Sequence, residues 1–552
     1  MSNKNATENR VVDQQVGVSR RKFMSGLAVA AAATPLVSIA GDLDLDLGEA
    51  IALKPNEKGP YDVVILNGRV IDPETKLDAV RNLGIIKGRI AAISEKTLQG
   101  AKVIDASNLI VAPGFIDLHA HGQQLPAAWM QAFDGVTTAL ELESGVLPID
   151  MAYRDVAEEG RPINYGFGAS WAFARALVLE KDIPPATGKM SWFQQAFSYT
   201  NWQNSIPTDQ ELERILALVE EGISQGGIGI SINAGYAPGM GRKEYYQLSK
   251  MAKKYNMPTF THDRYMSVLE PQSSFEALGE QIGLAAITGA HMHVCHINSV
   301  SNRDLKAGTD LLKEAQAKGI PVTVESYSYG AFSTAIGAEF MRGDDWLQRF
   351  GNTDYGTVEL LGKPMTKQSI IDLQETAPGS PINFHFLSED KSAEDQALLD
   401  LAVLYPGGAI ASDGMPWLDG KGTILEGDIW PLPADAFAHP RSSGCFSRFV
   451  HKWIVERESI SLLDGLAKTS LIPANIISEA VPQMKKKGRI QVGCDADIIC
   501  FDYNKIKDMG TFTEPAQQAA GHQFVMVNGQ LVIDNNQRVE GKLPGQAIRR
   551  NV

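Results

Sequence analysis

The run Gly114-Phe115-Ile116-Asp117-Leu118-His119-Ala120-His121-Gly122 sets two imidazoles two residues apart at the end of an apolar stretch. Side chains at i and i+2 of a strand share a face, so His119 and His121 can bind one cation. Neutral imidazole is the commonest protein metal ligand. Leu109 to Ala112, followed by Phe115 and Ile116, reads as a buried strand leading into the pair. More candidate ligands follow in order. Thr261-His262-Asp263-Arg264 comes after Met257-Pro258-Thr259-Phe260, which puts His262 where a strand empties into a loop. His291, His293 and His296 lie in the strand-like His-Met-His-Val-Cys-His, and Ala409-Ile410-Ala411-Ser412-Asp413-Gly414 ends a small apolar strand with a carboxylate.

Two histidines, then one, then one, then an aspartate resembles the amidohydrolase superfamily. Its barrels carry a His-x-His pair on the first strand, single histidines on the fifth and sixth, and an aspartate on the eighth. Four further stretches narrow the resemblance to N-acyl-D-amino-acid deacylases, over about Tyr61 to Asp534. They are Pro238 in the Gly229 to Gly239 segment, Glu325-Ser326-Tyr327-Ser328-Tyr329, His439-Pro440-Arg441-Ser442-Ser443-Gly444-Cys445-Phe446, and Lys468-Thr469-Ser470-Leu471-Ile472-Pro473-Ala474. The resemblance implies a zinc-dependent hydrolase of linear amide C–N bonds. Its substrates would be N-acyl-D-amino acids or related small N-acyl compounds, and its cofactor one or two Zn2+ ions.

The elements that must position these residues can be read from patterning. Asp62 to Ile71, Leu83 to Ile93, Asp497 to Phe501 and Phe524 to Ile533 read as strands joined by glycine turns, so both ends of the chain are expected to pair into one small β-sandwich. Between them strands alternate with helices. Asp209 to Ser224, with apolar Leu212, Ile215, Leu216, Val219 and Ile223, is a helix pattern followed by strand Ile228 to Ile232. That alternation predicts an α/β fold, a (β/α)8 TIM barrel with its chemistry at the strands' C-terminal ends. The expected domains are 41–112 and 481–552 for the sandwich and 113–480 for the barrel. Asn201 to Pro207 and Asp419 to His439 read as long loops that could wall or cover the site.

A ligand able to bridge two metals is harder to place. Gly227 to Tyr236 contains no lysine, which closes the carboxylated-lysine solution that many amidohydrolases use on their fourth strand. By the resemblance, D-aminoacylases use a cysteine on the second strand, and aligning Gly135-Val136-Thr137-Thr138 puts Ser144 at that position. Serine is a poor zinc ligand, whereas Glu141 and Glu143 share a face of the same strand and a carboxylate can coordinate zinc. Glu143, nearest the strand's end, is the preferred ligand and Glu141 its rival. His296 aligns with the sixth-strand ligand. His293, out of phase with it, is expected to face the helices; His291, His385, His451 and His522 read as structural or exposed, and His439 as fixing a loop at the substrate end.

Zinc on His119, His121, Glu143, His262 and His296 would lower the pKa of water to about 7 and polarise the scissile carbonyl. Asp413 is then the catalytic proton handler, taking a proton from the nucleophile and passing it to the departing amine. The resemblance implies that a lysine, a tyrosine, a serine and an arginine hold the substrate carboxylate. Tyr327 and Ser333 match two of these. Asn298 stands where the lysine belongs, and Arg264 or Arg441 could supply the charge instead. Cyclic-amide or lactone hydrolysis, deamination on the same barrel, and a metal-free binding relative stay open as alternatives.

At 552 residues and 44% hydrophobic content the chain can bury a large core, and its net charge of −14 with no basic patch argues against nucleic acid as a partner. Ser19-Arg20-Arg21-Lys22-Phe23-Met24 followed by Gly26 to Ala33 looks like a twin-arginine export peptide spanning 1–40, with small residues at Ser38 and Ala40 for cleavage. It implies passage through the twin-arginine machinery to a bacterial periplasm, without stable membrane association. The cysteines Cys295, Cys445, Cys494 and Cys500 show no disulfide spacing and are expected as buried free thiols.

Overall fold

Eight parallel strands follow one another around a barrel: Phe115–Asp117, Val136–Val146, Asn164–Ser170, Ile230–Asn233, Thr259–His262, Met292–Val294, Val322–Ser326 and Ala409–Ile410. The structure, a computed structural model, describes residues 61–551; the segment 1–40, expected to be an export peptide, lies outside them. Each barrel strand pairs in parallel with the next. Nearly every strand residue is buried, as expected where side chains fill the interior and helices cover the outside. First and eighth strands are joined by a parallel bridge between Ala120 and Gly414. Asp117 reinforces this closure by accepting hydrogen bonds from the backbone N–H groups of Ser412 (2.9 Å) and His119 (3.1 Å).

The outer helices form where the apolar period calls for them. Asp209–Ser224 begins at a capping box: Thr208 Oγ1 accepts from Glu211 N at 3.3 Å, and Glu211 Oε2 accepts from Thr208 N at 2.8 Å. Ile215, Val219 and Ile223, spaced four apart, are buried on one face. Burial of each stabilises the helix on the barrel by about 1.5–3 kcal/mol.

Both ends of the chain build the accessory domain, as the strand patterns require. Tyr61–Asp72, Leu77–Ile86, Arg89–Ser94, Gly100–Asp105 and Ile110–Pro113 join Ile498–Phe501, His522–Val527, Gln530–Asp534 and Gln537–Arg538 in one mixed nine-stranded sheet. The seam is the antiparallel pairing of Ile110–Pro113 with Ile498–Phe501. Tyr61–Asp72 changes neighbours along its length, with 61–66 beside Gly100–Asp105 and 69–70 beside Ile110–Pro113. The sheet packs a core of its own that includes Ile65, Val70, Leu83, Ile104, Val111 and Ile498.

A third sheet, not read from the sequence, lies between the seventh and eighth barrel strands. Ala331–Ala335 pairs with Pro381–His385, which pairs with Val358–Leu360, and Lys363–Pro364 completes the set. Phe332 and Phe384, ring centroids 5.3 Å apart, lie in its aromatic core. This insertion, together with the helix Met190–Ala196, walls the central cavity. The two expected loops do not: Asn201–Asn204 is a short helix, and neither it nor 419–439 lines the cavity. Among the described residues, no helix is long and apolar enough to cross a membrane.

Candidate metal centre

His119 and His121 leave the first strand with their Nε2 atoms 3.2 Å apart. Each ring is turned by its outer nitrogen. His119 Nδ1 lies 2.6 Å from Glu325 Oε1, and His121 Nδ1 lies 2.8 Å from Glu141 Oε2. Ionised carboxylates only accept hydrogen bonds, so both Nδ1 atoms carry a proton, which leaves Nε2 of each ring as the atom turned toward a shared cation.

Glu143 faces the pair from the end of the second strand. Its Oε1 lies 2.8 Å from His262 Nδ1 and 3.1 Å from His296 Nε2, while its Oε2 lies 3.6 and 3.5 Å from Nε2 of His119 and His121. One carboxylate thus spans two imidazole pairs. Asn233, at the end of the fourth strand, donates from Nδ2 to Glu143 Oε2 at 3.0 Å and helps hold it in that orientation. Asp413 Oδ1 lies 3.4 Å from His119 Nε2 and 3.2 Å from His121 Nε2. All six of these histidine and carboxylate side chains are buried.

Burial opposes charge on His119, His121, Glu143 and Asp413, but their neighbours overcome it, whereas at His262 burial prevails and lowers the pKa. At His121, Glu141 and Asp413 outweigh burial and hold the imidazole up to about 10. Against the same cost of burial, the imidazoles keep Glu143 well below the carboxylate range, and Arg441 with His119 does so for Asp413. The cluster therefore draws positive charge, and a divalent ion would displace the protons. Four imidazoles with carboxylates are a donor set that fits zinc.

Backbone geometry explains how single residues reach the centre. His296 and Asp413 both sit at positive φ, 31° and 50°, a region that costs non-glycine residues about 1–3 kcal/mol. The turn at His296 breaks the strand alternation and brings its ring inward. His293, expected to face the helices, is instead fully buried inside the barrel with Nε2 3.1 Å from Glu325 Oε2. Gly235 allows close approach: a Cβ there would lie 2.4 Å from His262 Cδ2.

The remaining expected residues divide into those at the site and those held elsewhere. Arg441 donates from Nη2 to Asp413 Oδ2 at 2.8 Å and stacks over the Tyr327 ring at 4.6 Å. Its Nε and Nη1, and the Tyr327 hydroxyl, are buried without a hydrogen-bond partner. Ser333 lines the cavity. His439 accepts from Arg441 N at 3.0 Å and bonds Ala331 O at 3.1 Å, which fixes this loop. Asn298 donates from Nδ2 to the carbonyls of Tyr327 and Tyr329 at 3.3 and 3.2 Å, which commits its amide nitrogen to backbone and leaves Oδ1 buried without a partner. Arg264 is turned away from the cavity, bound to Glu280 Oε2 at 2.9 Å and Met240 O at 2.7 Å. Ser144 Oγ lies 3.2 Å from Glu143 Oε2, beside the cluster. All four cysteines are free and buried.

Above the cluster the cavity wall is largely apolar, with Met190, Phe193, Phe197, Met266, Phe332 and Phe340, and no lysine or arginine lines it. Sequence reasoning missed Asn233, Glu325 and the two phenylalanines of the insertion. Asn233 had a signal, being the polar residue that ends the fourth strand in the very segment searched for a lysine.

The amidohydrolase family profile matches residues 102–187 and 195–533. The chain is 25% identical over 517 residues to the N-acyl-D-glutamate deacylase of Alcaligenes xylosoxydans xylosoxydans, covering 89% of this chain and 97% of that protein. It is 26% identical over 519 residues to the D-aminoacylase of the same organism, covering 90% and 99%. Its fold resembles the crystal structure of N-acyl-D-glutamate deacylase from Bordetella bronchiseptica complexed with zinc and a phosphonate inhibitor, with a TM-score of 0.69 at 21% identity over 89% of this chain and 100% of that one. A family match across most of the length and a buried cluster of histidines and carboxylates at the barrel's C-terminal end lead to one conclusion: the chain belongs to the amidohydrolase family and is a metal-dependent hydrolase of amide bonds.

Proposed function

We propose that the protein deacylates N-acyl-D-amino acids with apolar side chains, using zinc held by His119, His121, His262, His296 and Glu143. The observation that carries the reading is Glu143, whose two oxygens face different imidazole pairs. It stands one residue before the position where the family resemblance implies a cysteine, and it suits two ions. Zinc bound there supplies Lewis acidity toward the amide carbonyl and a lowered pKa for water.

The chain's own residues do the rest. Asp413 Oδ1 faces the cluster, placed to take the proton of the attacking water and return it to the amine nitrogen as the C–N bond breaks. Arg441 keeps that carboxylate ionised through Oδ2; Ser333 lines the cavity, while the unpaired Nε and Nη1 of Arg441 and the Tyr327 hydroxyl lie buried behind the wall and would meet a substrate carboxylate once that wall shifts. Asn298 brings no cation, and Arg264 is engaged by Glu280, so Arg441 carries the charge recognition alone. The apolar wall suits an apolar side chain. The Ser19 to Met24 segment supports export through the twin-arginine machinery to the periplasm.

The test is metal content together with hydrolysis of N-acetyl and N-formyl D- and L-amino acids by the purified protein. Zinc with D-selective release of the free amino acid is the expected result. Zinc with no release from any substrate bearing a free carboxylate overturns the deacylase reading and makes Asn298 the mark of a cyclic-amide or lactone hydrolase. Ammonia as the product would mean a deaminase.

A further inference from the structure

A line of hydrogen bonds runs through the barrel interior from its N-terminal end to His119. His291 Nε2 lies 2.7 Å from Thr323 Oγ1, and Thr323 Oγ1 lies 2.8 Å from His293 Nδ1. His293 Nε2 lies 3.1 Å from Glu325 Oε2, and Glu325 Oε1 lies 2.6 Å from His119 Nδ1. The barrel builds this line by register. Thr323 and Glu325 share a face of the seventh strand, and His293 is the direct neighbour of Thr323 on the sixth. His293 is locked from its other side by the Phe260 ring, with centroids 5.0 Å apart.

With His291 and His293 both neutral, the donors and acceptors along this line admit one arrangement. Glu325 is a carboxylate and can only accept, so His119 donates from Nδ1 and His293 donates from Nε2. A neutral His293 protonated at Nε2 has a bare Nδ1, which must accept the Thr323 hydroxyl proton. Thr323 Oγ1, its one proton committed, then accepts from His291 Nε2–H. The first three bonds point from the barrel floor toward Glu325, and the fourth points to it from His119, whose Nε2 is left facing the cluster.

We infer that Glu325, His293 and Thr323 are positioning residues that set His119 in its Nδ1–H form and so present Nε2 to the metal. His291 anchors the line at the barrel floor, where it borders an open surface cavity beside Asn256 and Pro321. The inference rests on the metal reading of the site but not on the choice of substrate. Partners that orient a metal-binding imidazole in this way are worth 10–100-fold in metal affinity.

The first test needs no variant. In zinc-loaded protein labelled with 15N-histidine, His293 is expected as the Nε2–H tautomer and His119 with its proton on Nδ1; His293 found as Nδ1–H overturns the relay. The second test is zinc affinity by chelator competition. Glu325→Gln, in which the amide must turn a donor toward one of its two imidazoles, is expected to bind zinc about 10–100-fold more weakly. Thr323→Val is expected to lose several-fold and Thr323→Ser to restore the parent value, a rescue that mere packing would not give. Parent-like zinc affinity in Glu325→Gln or Thr323→Val overturns the inference. A parent protein that binds no zinc would instead overturn the metal centre itself, and a failure to cleave acyl amino acids would touch neither.

Discussion

Arg441 and Asp413 are joined through Nη2 and Oδ2 at 2.8 Å, while the other oxygen of Asp413 faces the imidazoles of His119 and His121. A single carboxylate therefore links the side of the cavity that would hold substrate to the side that would hold metal. With burial opposing its charge, it stays ionised because Arg441 and the imidazoles surround it.

This arrangement separates two roles that a ligand and a proton carrier would otherwise share. Asp413→Asn keeps the shape and an acceptor oxygen but cannot take up a proton. It is expected to retain zinc and to lose turnover by at least about a hundredfold, the usual scale for a positioned acid or base. The check is kcat measured beside zinc content in one preparation. Activity that falls only in step with zinc would make Asp413 a ligand instead.

Glu143 is the converse case. Both of its oxygens lie within 3.6 Å of imidazole nitrogens, and removing its charge leaves two histidine pairs without a shared anion. Glu143→Gln is expected to lose at least one zinc per chain and nearly all activity. Ser144→Ala, which deletes only a hydroxyl beside Glu143, is expected to keep its zinc. Equal metal content in Glu143→Gln and the parent protein would remove Glu143 from the ligand set.

What the sequence revealed and what it hid follow from distance along the chain. His119 and His121 were legible because a strand repeats every two residues, and the helix Asp209–Ser224 because its apolar face repeats within sixteen residues. The accessory domain was legible for the same reason: each strand carried its own pattern and turn. Phase arguments failed at His293, since the positive φ of His296 shifts the alternation on which they depend. Glu325 lies 206 residues from His119, and nothing local marks it as that ring's partner. The insertion was hidden because Ala331–Ala335 finds its partner in Pro381–His385 after a long intervening stretch, and although Ile382 to His385 alternates apolar with polar, Ala331–Ala335 does not.

The lining of the cavity leads to a ratio of rates. Phe332, Phe340 and Met266 offer apolar surface, and no lysine or arginine is there to meet a second carboxylate. Burying an apolar side chain is worth about 1.5–3 kcal/mol, while an unpaired buried carboxylate is strongly disfavoured. N-acetyl-D-leucine and N-acetyl-D-phenylalanine are therefore expected to exceed N-acetyl-D-glutamate in kcat/KM by at least about tenfold. A preference for D-glutamate would mean that a cation reaches the substrate from outside the described lining.

Acid sensitivity is expected from a histidine far from the cluster. His522 is fully buried, with Nε2 3.2 Å from Ser447 Oγ and no partner at Nδ1. Burial pushes its pKa down to about 3, whereas an unfolded chain returns it to about 6.5. Between these values the unfolded state binds the extra proton, so the stability that neutral His522 contributes is complete above about pH 6.5 and is lost progressively as the pH falls toward 3. The loss amounts to about 1.4 kcal/mol per pH unit within that window. His522→Gln keeps a donor for Ser447 and has nothing to titrate. Its melting temperature is expected to fall less between pH 7 and pH 5 than that of the parent, both measured without metal so that ligand protonation is common to the two. Equal falls would show that His522 takes up its proton as readily in the folded protein as in the unfolded chain.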